Sequence, residues 1–152
     1  MWEWIQATGV ATTIGQSSVL TGFLSAVHLV GMTLLVGGAF VSGLRSLGVL
    51  LADRPFADVA GAAGRGIEVG LLVSIVSGLL LFSPRAASAA ANEIFQVKML
   101  VLLAAVVSHV VWFRRLRRTA GPEHRRFVPA GVVGLLLWVG VALAGCTYIL
   151  LE

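Results

Sequence analysis

Four long apolar segments run along the chain and are separated by shorter polar links. They extend over about residues 20–44, 66–82, 95–113 and 127–151. The first has about 25 residues without a formal charge, enough at ~1.5 Å per residue to cross a ~30 Å hydrocarbon layer. The pattern predicts an all-α fold, an integral membrane four-helix up-and-down bundle that forms a single transmembrane domain over residues 1–152.

The polar segments between and before these helices carry local signals. Residues 2–17 contain two tryptophans among threonine, glutamine and serine, which predicts an N-terminal interfacial helix on the membrane surface. Pro55 favours a helical turn directly after it. Pro84 is expected to end the second helix, and Asn92 to cap the third.

The composition indicates a membrane protein, and the positive charge is therefore interpreted as a signal of membrane topology. The chain is 58% hydrophobic and 12% charged, against roughly 25% charged residues in a soluble domain. Six of the eleven Lys and Arg residues lie in 114–126, and Arg45, Arg54 and Arg65 follow the first segment. Because such loops remain in the cytoplasm, both termini are expected outside, in a bacterial inner membrane. The lipid bilayer, and not nucleic acid, is therefore the expected partner of the charge of +4.

Several chemistries have no support in the sequence. A single cysteine, Cys146, excludes an internal disulfide and a cysteine-rich metal site. The chain has no GxSxG, P-loop, HExxH or CxxC motif, so hydrolase, nucleotide-driven and zinc-peptidase functions are not indicated. The N-terminus also lacks the basic start and cleavage site of a signal peptide.

Titratable side chains inside the apolar segments are the candidate functional residues. An imidazole in lipid is costly unless it faces the protein interior and has a partner, which singles out His28 in the first segment. Lys98 is predicted at a similar depth in the outer half. His109 is predicted near the cytoplasmic face, where Glu68 and Arg45 would form a polar network with it.

Two interpretations of these residues stay open. In one, His28 and His109 are metal ligands, the usual case being the axial ligand of a haem iron. Their depths differ by roughly 10 Å, so a single haem on His28 fits better, with Lys98, water or nothing as second ligand. Gly31 would then leave a bare helix face for the porphyrin.

In the other interpretation the same residues are structural. His28 would bond to a hydroxyl of Ser25 or Thr33 or to a backbone carbonyl, His109 would pair with Glu68, and Lys98 would extend to the membrane surface. Small residues recurring every four positions over 66–78 would allow close approach of another helix, from this chain or from a partner.

Four stretches of the chain resemble the DUF6644-type small membrane proteins. They are AVHLVGMTLLVGGAFVSGLRSLG, SGLLLF, NEIFQVKMLVLLAAVVSHVVWFRR and LLLWVGVALAG. The N-terminal WIQATGVATTIGQSSVL fits the same family, so the resemblance covers nearly the whole chain. That family is similar to a wider group containing CopD-like copper-resistance proteins and HemJ-type protoporphyrinogen oxidases.

The resemblance implies a haem b in a four-span bundle. In the HemJ type an early histidine and a lysine are tied to haem and activity, which corresponds here to His28 and Lys98 and loosely to His109. One departure is Cys146, which stands where the pattern has an arginine. We expect a haem-binding protein with a role in electron transfer. The alternatives are a cofactor-free accessory subunit of a larger membrane complex or a CopD-like copper-handling protein. The expected assembly is a homo-oligomer or a larger membrane complex.

Overall fold

The computed structural model describes residues 2–118 and 128–151, with side chains described over 2–112, at 129 and over 131–147. The described residues are helical throughout, joined by turns, and contain no strand. In chain order the helices are α1 (Glu3–Gln6), α2 (Gly9–Gln16), α3 (Ser18–Ser46), α4 (Phe56–Phe82), a 3₁₀ turn (Ser83–Arg85), α5 (Ala86–Ala91), α6 (Glu93–Arg118) and α7 (Val128–Leu151). The all-α prediction is confirmed for these residues.

Within the described part of the chain, three helical stretches are long and apolar enough to cross a membrane: Ser18–Ser46, Phe56–Ala91 and Glu93–Trp112. The apolar part described for α7, Gly131–Thr147, is shorter. Large hydrophobic side chains such as Phe23, Leu72 and Leu100 lie exposed on the outer faces of these helices. This surface is consistent with contact to lipid, since a water-exposed surface would not normally carry so continuous an apolar cover.

The helix boundaries differ from the predictions at the second helix. It begins at Phe56, directly after Pro55, so the expected helical turn is the start of α4 itself. Alanines and glycines occupy this region, and alanine has the highest helix propensity. Pro84 lies in the 3₁₀ turn after α4 ends at Phe82. Asn92 caps α6 as predicted: its Oδ1 accepts hydrogen bonds from the amides of Ile94 (2.9 Å) and Phe95 (3.2 Å).

The N-terminal segment forms two short helices where one was expected. The hydroxyl of Thr8 accepts a hydrogen bond from the Ala11 amide and so starts a new helix, α2. The segment packs on the turn after α4, where the Gln6 side chain donates to the carbonyl of Pro84 at 3.1 Å. The surface position that was predicted for it relative to a membrane stays a prediction. The arginine cluster spans residues 114–126. Residues 119–127 lie outside the described part of the chain, and the side chains of residues 114–118 are not described either.

Helices α3 and α4 pack most closely, α7 packs on both α3 and α6, and α4 makes little direct contact with α6. A Cβ atom added to Gly70 of α4 would lie 2.6 Å from the carbonyl oxygen of Gly31 in α3. Backbones this close require glycine at the contact. The hydrophobic core between the helices contains Leu35, Ala39, Ile67, Ala105, Trp138 and Val141.

Candidate functional site

His28 faces α4 and is held there by a serine hydroxyl. Its Nδ1 lies 3.0 Å from Oγ of Ser77, and the same Oγ donates its hydrogen to the carbonyl oxygen of Val73 at 2.6 Å. A serine hydroxyl has one hydrogen to donate, so a Ser77 hydroxyl that donates to Val73 can only accept from His28, and this geometry favours the tautomer with the proton on Nδ1. In the neutral ring Nε2 then carries the free lone pair, which is the form that binds metals.

A glycine of α4 makes room for the imidazole. A Cβ on Gly78 would lie 3.2 Å from Cε1 and 3.6 Å from Nδ1 of His28, closer than most side-chain contacts. The half-buried ring is therefore fixed by contacts from one helix turn, and only part of its edge is engaged.

Lys98 lies close enough to His28 for their charges to interact. Its half-buried side chain crosses the backbone of α7 at Gly145, where an added Cβ would meet Nζ at 3.5 Å and Cε at 3.6 Å. Cys146, the next residue, is exposed and lies within electrostatic range of the ammonium group. The structure thus bonds His28 of α3 to Ser77 of α4 and places the charge of Lys98, on α6, within electrostatic range of His28.

The small residues of α4 serve the contact with α3. Gly31, predicted as a bare surface for a porphyrin, faces Ser74: an added Cβ would lie 2.5 Å from its Oγ and 2.9 Å from its amide nitrogen. A Cβ added to Gly70 would likewise lie within 3 Å of atoms of Gly31 and Leu35. Nothing lies within 4 Å of a Cβ added to Gly66. Close helix packing thus accounts for Gly31 in this structure, and most of the small-residue strip faces this chain's own α3.

His109 occupies a separate site, where it is only 7% exposed. Its ring lies beside that of Trp112, with 6.4 Å between the ring centroids, and it interacts electrostatically with the exposed Glu68. A small cavity beside it reaches Ala39 and Ser42 of α3. Ala39 follows His28 by eleven residues, or ~16 Å along the helix, so the two histidines cannot bind one iron.

Arg45 is buried near the end of α3 with interactions of its own. Its Nη2 donates to the carbonyl oxygen of Arg54 at 2.7 Å, and its guanidinium carbon lies 5.7 Å from the ring centroid of Phe56. Among the described residues, Arg45 and Glu68 form no ion pair. The predicted polar network therefore divides into Glu68 near His109 and Arg45 near Phe56.

Sequence reasoning missed Ser77, Gly78, Gly145 and Trp112 as parts of these sites. Ser77 had a weak signal, because a hydroxyl in an apolar helix often bonds a neighbouring helix. Its pairing with His28 depends on how α4 is rotated against α3, and spacing along the chain does not define that rotation.

Together, the helices define a class: a small all-helical protein with candidate membrane spans and a histidine–serine–lysine cluster between them. A family model matches residues 1–150 of the chain and is described as a family of unknown function, DUF6644. The chain belongs to this family. No curated protein and no solved structure matches it.

Proposed function

We propose that this protein is a b-type haem protein of the bacterial inner membrane, a four-span bundle with both termini outside that passes electrons. The observation that carries the proposal is the bonding of His28. Ser77 holds the proton on Nδ1, so Nε2 offers its lone pair to a metal. Hydrogen-bonding partners that fix the tautomer of a ligating histidine are a regular feature of metal sites.

Each residue of the cluster would have a defined task. His28 would supply the axial nitrogen, and Ser77 would orient the ring. Lys98 would supply positive charge near the site, either to a propionate or, when deprotonated, as a second ligand. The haem would supply one-electron chemistry, with a potential adjusted by the axial ligand and the surrounding polarity. His109 with Glu68 would form a second polar site on the cytoplasmic side, for proton transfer or a second haem.

The donor chemistry at His28 fits a haem, whereas the space around it restricts where a porphyrin would lie. Pockets for cofactors and drug-sized ligands usually have ~300–1,000 Å³. The cavity beside His109 has about 10 Å³, and the one of about 330 Å³ lies between the end of α3 and the start of α4, lined by Val41, Arg54 and Asp58. Atoms of this chain occupy the space at Gly31 and Gly78 beside His28, so a porphyrin on His28 would lie at the edge of the bundle. This favours a homo-oligomer or larger complex that completes the pocket.

An optical spectrum of the purified protein, oxidised and reduced, tests the proposal. We expect a Soret band and reduced-state bands of haem b in wild type, with about one iron per chain. A colourless protein after expression with haem supplementation would contradict it. Iron determination on the same sample separates a weakly absorbing site from an empty one.

A cofactor-free protein is the second candidate, and the packing around His28 favours it. Ser77 satisfies one ring nitrogen, and Gly78 and Gly31 are filled by contacts within the chain. Such a protein would act as an accessory subunit of a membrane complex and would purify colourless with other chains. A copper-handling role related to the CopD-like proteins would instead predict retained copper without a Soret band. The described residues contain no cluster of three His, Cys, Asp or Glu suited to a metal.

A further inference from the structure

A small cavity, mostly apolar but with several polar groups in its lining, lies between the long helices at the level of His109, separate from the His28 cluster. Its volume is about 10 Å³, which corresponds to the space that one water molecule needs. Its polar lining comes from Ser42 of α3 and from Ser108, His109 and Trp112 of α6. An organic ligand or a porphyrin does not fit this volume.

The indole of Trp112 has an unmet need for an acceptor. Trp112 is 6% exposed, and its Nε1 is buried with no hydrogen-bond partner among the described residues. An indole N–H donates and never accepts, so only an acceptor can satisfy it. Buried donors without any partner are rare in native proteins, and ordered water supplies the partner at many of them.

Ser42 supplies the complementary group on α3. Its single hydroxyl hydrogen is directed to the carbonyls of Gly38 (3.0 Å) and Ala39 (3.2 Å). The lone pairs of its Oγ remain available to a donor at the cavity. A water molecule has the two functions required: its oxygen accepts from Trp112, and its hydrogens donate to Ser42 and to a second acceptor.

We propose that this cavity binds one ordered water molecule, which accepts a hydrogen bond from Trp112 Nε1 and connects α6 to Ser42 of α3. The water lies against the ring of His109 and so gives this imidazole a proton-carrying neighbour inside the bundle. The proposal does not depend on haem binding at His28.

Nuclear magnetic resonance of protein labelled with ¹⁵N in the tryptophan indoles tests the proposal. In nanodiscs, we expect the Trp112 indole proton to have a hydrogen-bonded chemical shift and a cross peak to a long-lived water. The indole of Trp4, which is 67% exposed, provides the comparison with rapidly exchanging solvent. Absence of the water cross peak, together with the shift of a free indole, would overturn the proposal.

Two variants assign and check the signal. Trp112→Phe removes the donor and should abolish the cross peak. If that variant does not fold, replacement of the exposed Trp2 and Trp4 by Phe leaves only the indoles of Trp112 and Trp138 to be assigned. Ser42→Ala removes an acceptor and should reduce the cross peak at least twofold. An undiminished cross peak in Ser42→Ala would contradict the bridge to α3.

Discussion

The two histidines in the long apolar helices, His28 and His109, differ in the residues that surround them. His28 is half-buried, bonded through Nδ1 to a hydroxyl of another helix, and seated on a glycine. His109 is buried beside an indole and a cavity the size of a water molecule. Under the proposed function, the first arrangement would leave Nε2 of His28 for a large ligand, whereas the cavity beside His109 has the volume of about one water molecule.

An imidazole in an apolar helix is therefore not by itself evidence of a metal ligand. Both residues lie in long apolar helices, and the difference between them arises from neighbours on other helices and from the deeper burial of His109. A hydroxyl that has already donated its hydrogen determines the tautomer of His28. At His109 the available volume determines which partner can enter.

Replacing each histidine by alanine should give the largest difference between the two sites. We expect His28→Ala to abolish the haem spectrum completely, because it removes the axial nitrogen, and His109→Ala to retain it. Absorbance per chain in membranes and after purification measures both, with circular dichroism to verify helicity. Equal loss in the two folded variants would contradict the assignment of the iron to His28.

A glycine pair on α4 tests the packing that positions His28. Gly70→Ala should destabilise the protein by about 1–3 kcal/mol, because the added methyl meets backbone atoms of α3 at 2.6 and 2.8 Å. Gly66→Ala, on the same helix with nothing within 4 Å, is the matched control. It should be neutral or stabilise by up to about 1 kcal/mol. Denaturant titration in mixed micelles measures the difference, and equal stability of the two variants would be evidence against the close contact.

Ser77→Ala sharpens the role of the hydroxyl. The lost hydrogen bond should cost about 0.5–1.5 kcal/mol of stability. Loss of an outer partner of a ligating histidine commonly weakens metal affinity by about 10–100-fold. The control is Ser25→Ala, since Ser25 bonds only the Thr21 carbonyl of its own helix among the described residues. Haem titration of the apoprotein measures both variants, and unchanged affinity in Ser77→Ala would remove Ser77 from the site.

The smallest effect is expected from two further glycines. Gly78→Ala would crowd Cε1 of His28 at 3.2 Å, so the ring has to move by a few tenths of an ångström and the haem bands should shift slightly. Gly145→Ala meets Lys98 at 3.5 Å, an ordinary contact, and should leave the bands unchanged. Identical spectra for Gly78→Ala and wild type would indicate that the ring is not confined on this side.

The sequence predicts the parts of this fold that depend on local chemistry. Continuous apolar runs indicate α3 and α6, and the carboxamide of Asn92 starts α6 as expected. The start of α4 at Phe56 was missed because its first turns are small and mildly polar, and hydropathy alone does not register such residues as part of a spanning helix.

The site was predictable only in part. His28 and Lys98 follow from the cost of polar groups in lipid, and their similar depth follows from the rise per residue. The bond to Ser77 and the filling of Gly31 by Ser74 depend on the rotation of α4 about its axis. A pattern of small residues every four positions is compatible with several such rotations.

Measuring the tautomer of His28 in the haem-free protein tests most directly whether Nε2 is available to a metal. ¹⁵N chemical shifts of histidine-labelled protein in nanodiscs, assigned with His28→Gln, distinguish a protonated from an unprotonated ring nitrogen. We predict a neutral ring with the proton on Nδ1 and a bare Nε2, and a loss of this preference in Ser77→Ala. A proton on Nε2 in the wild type would contradict the account, because the nitrogen assigned to the iron would then have no lone pair to give.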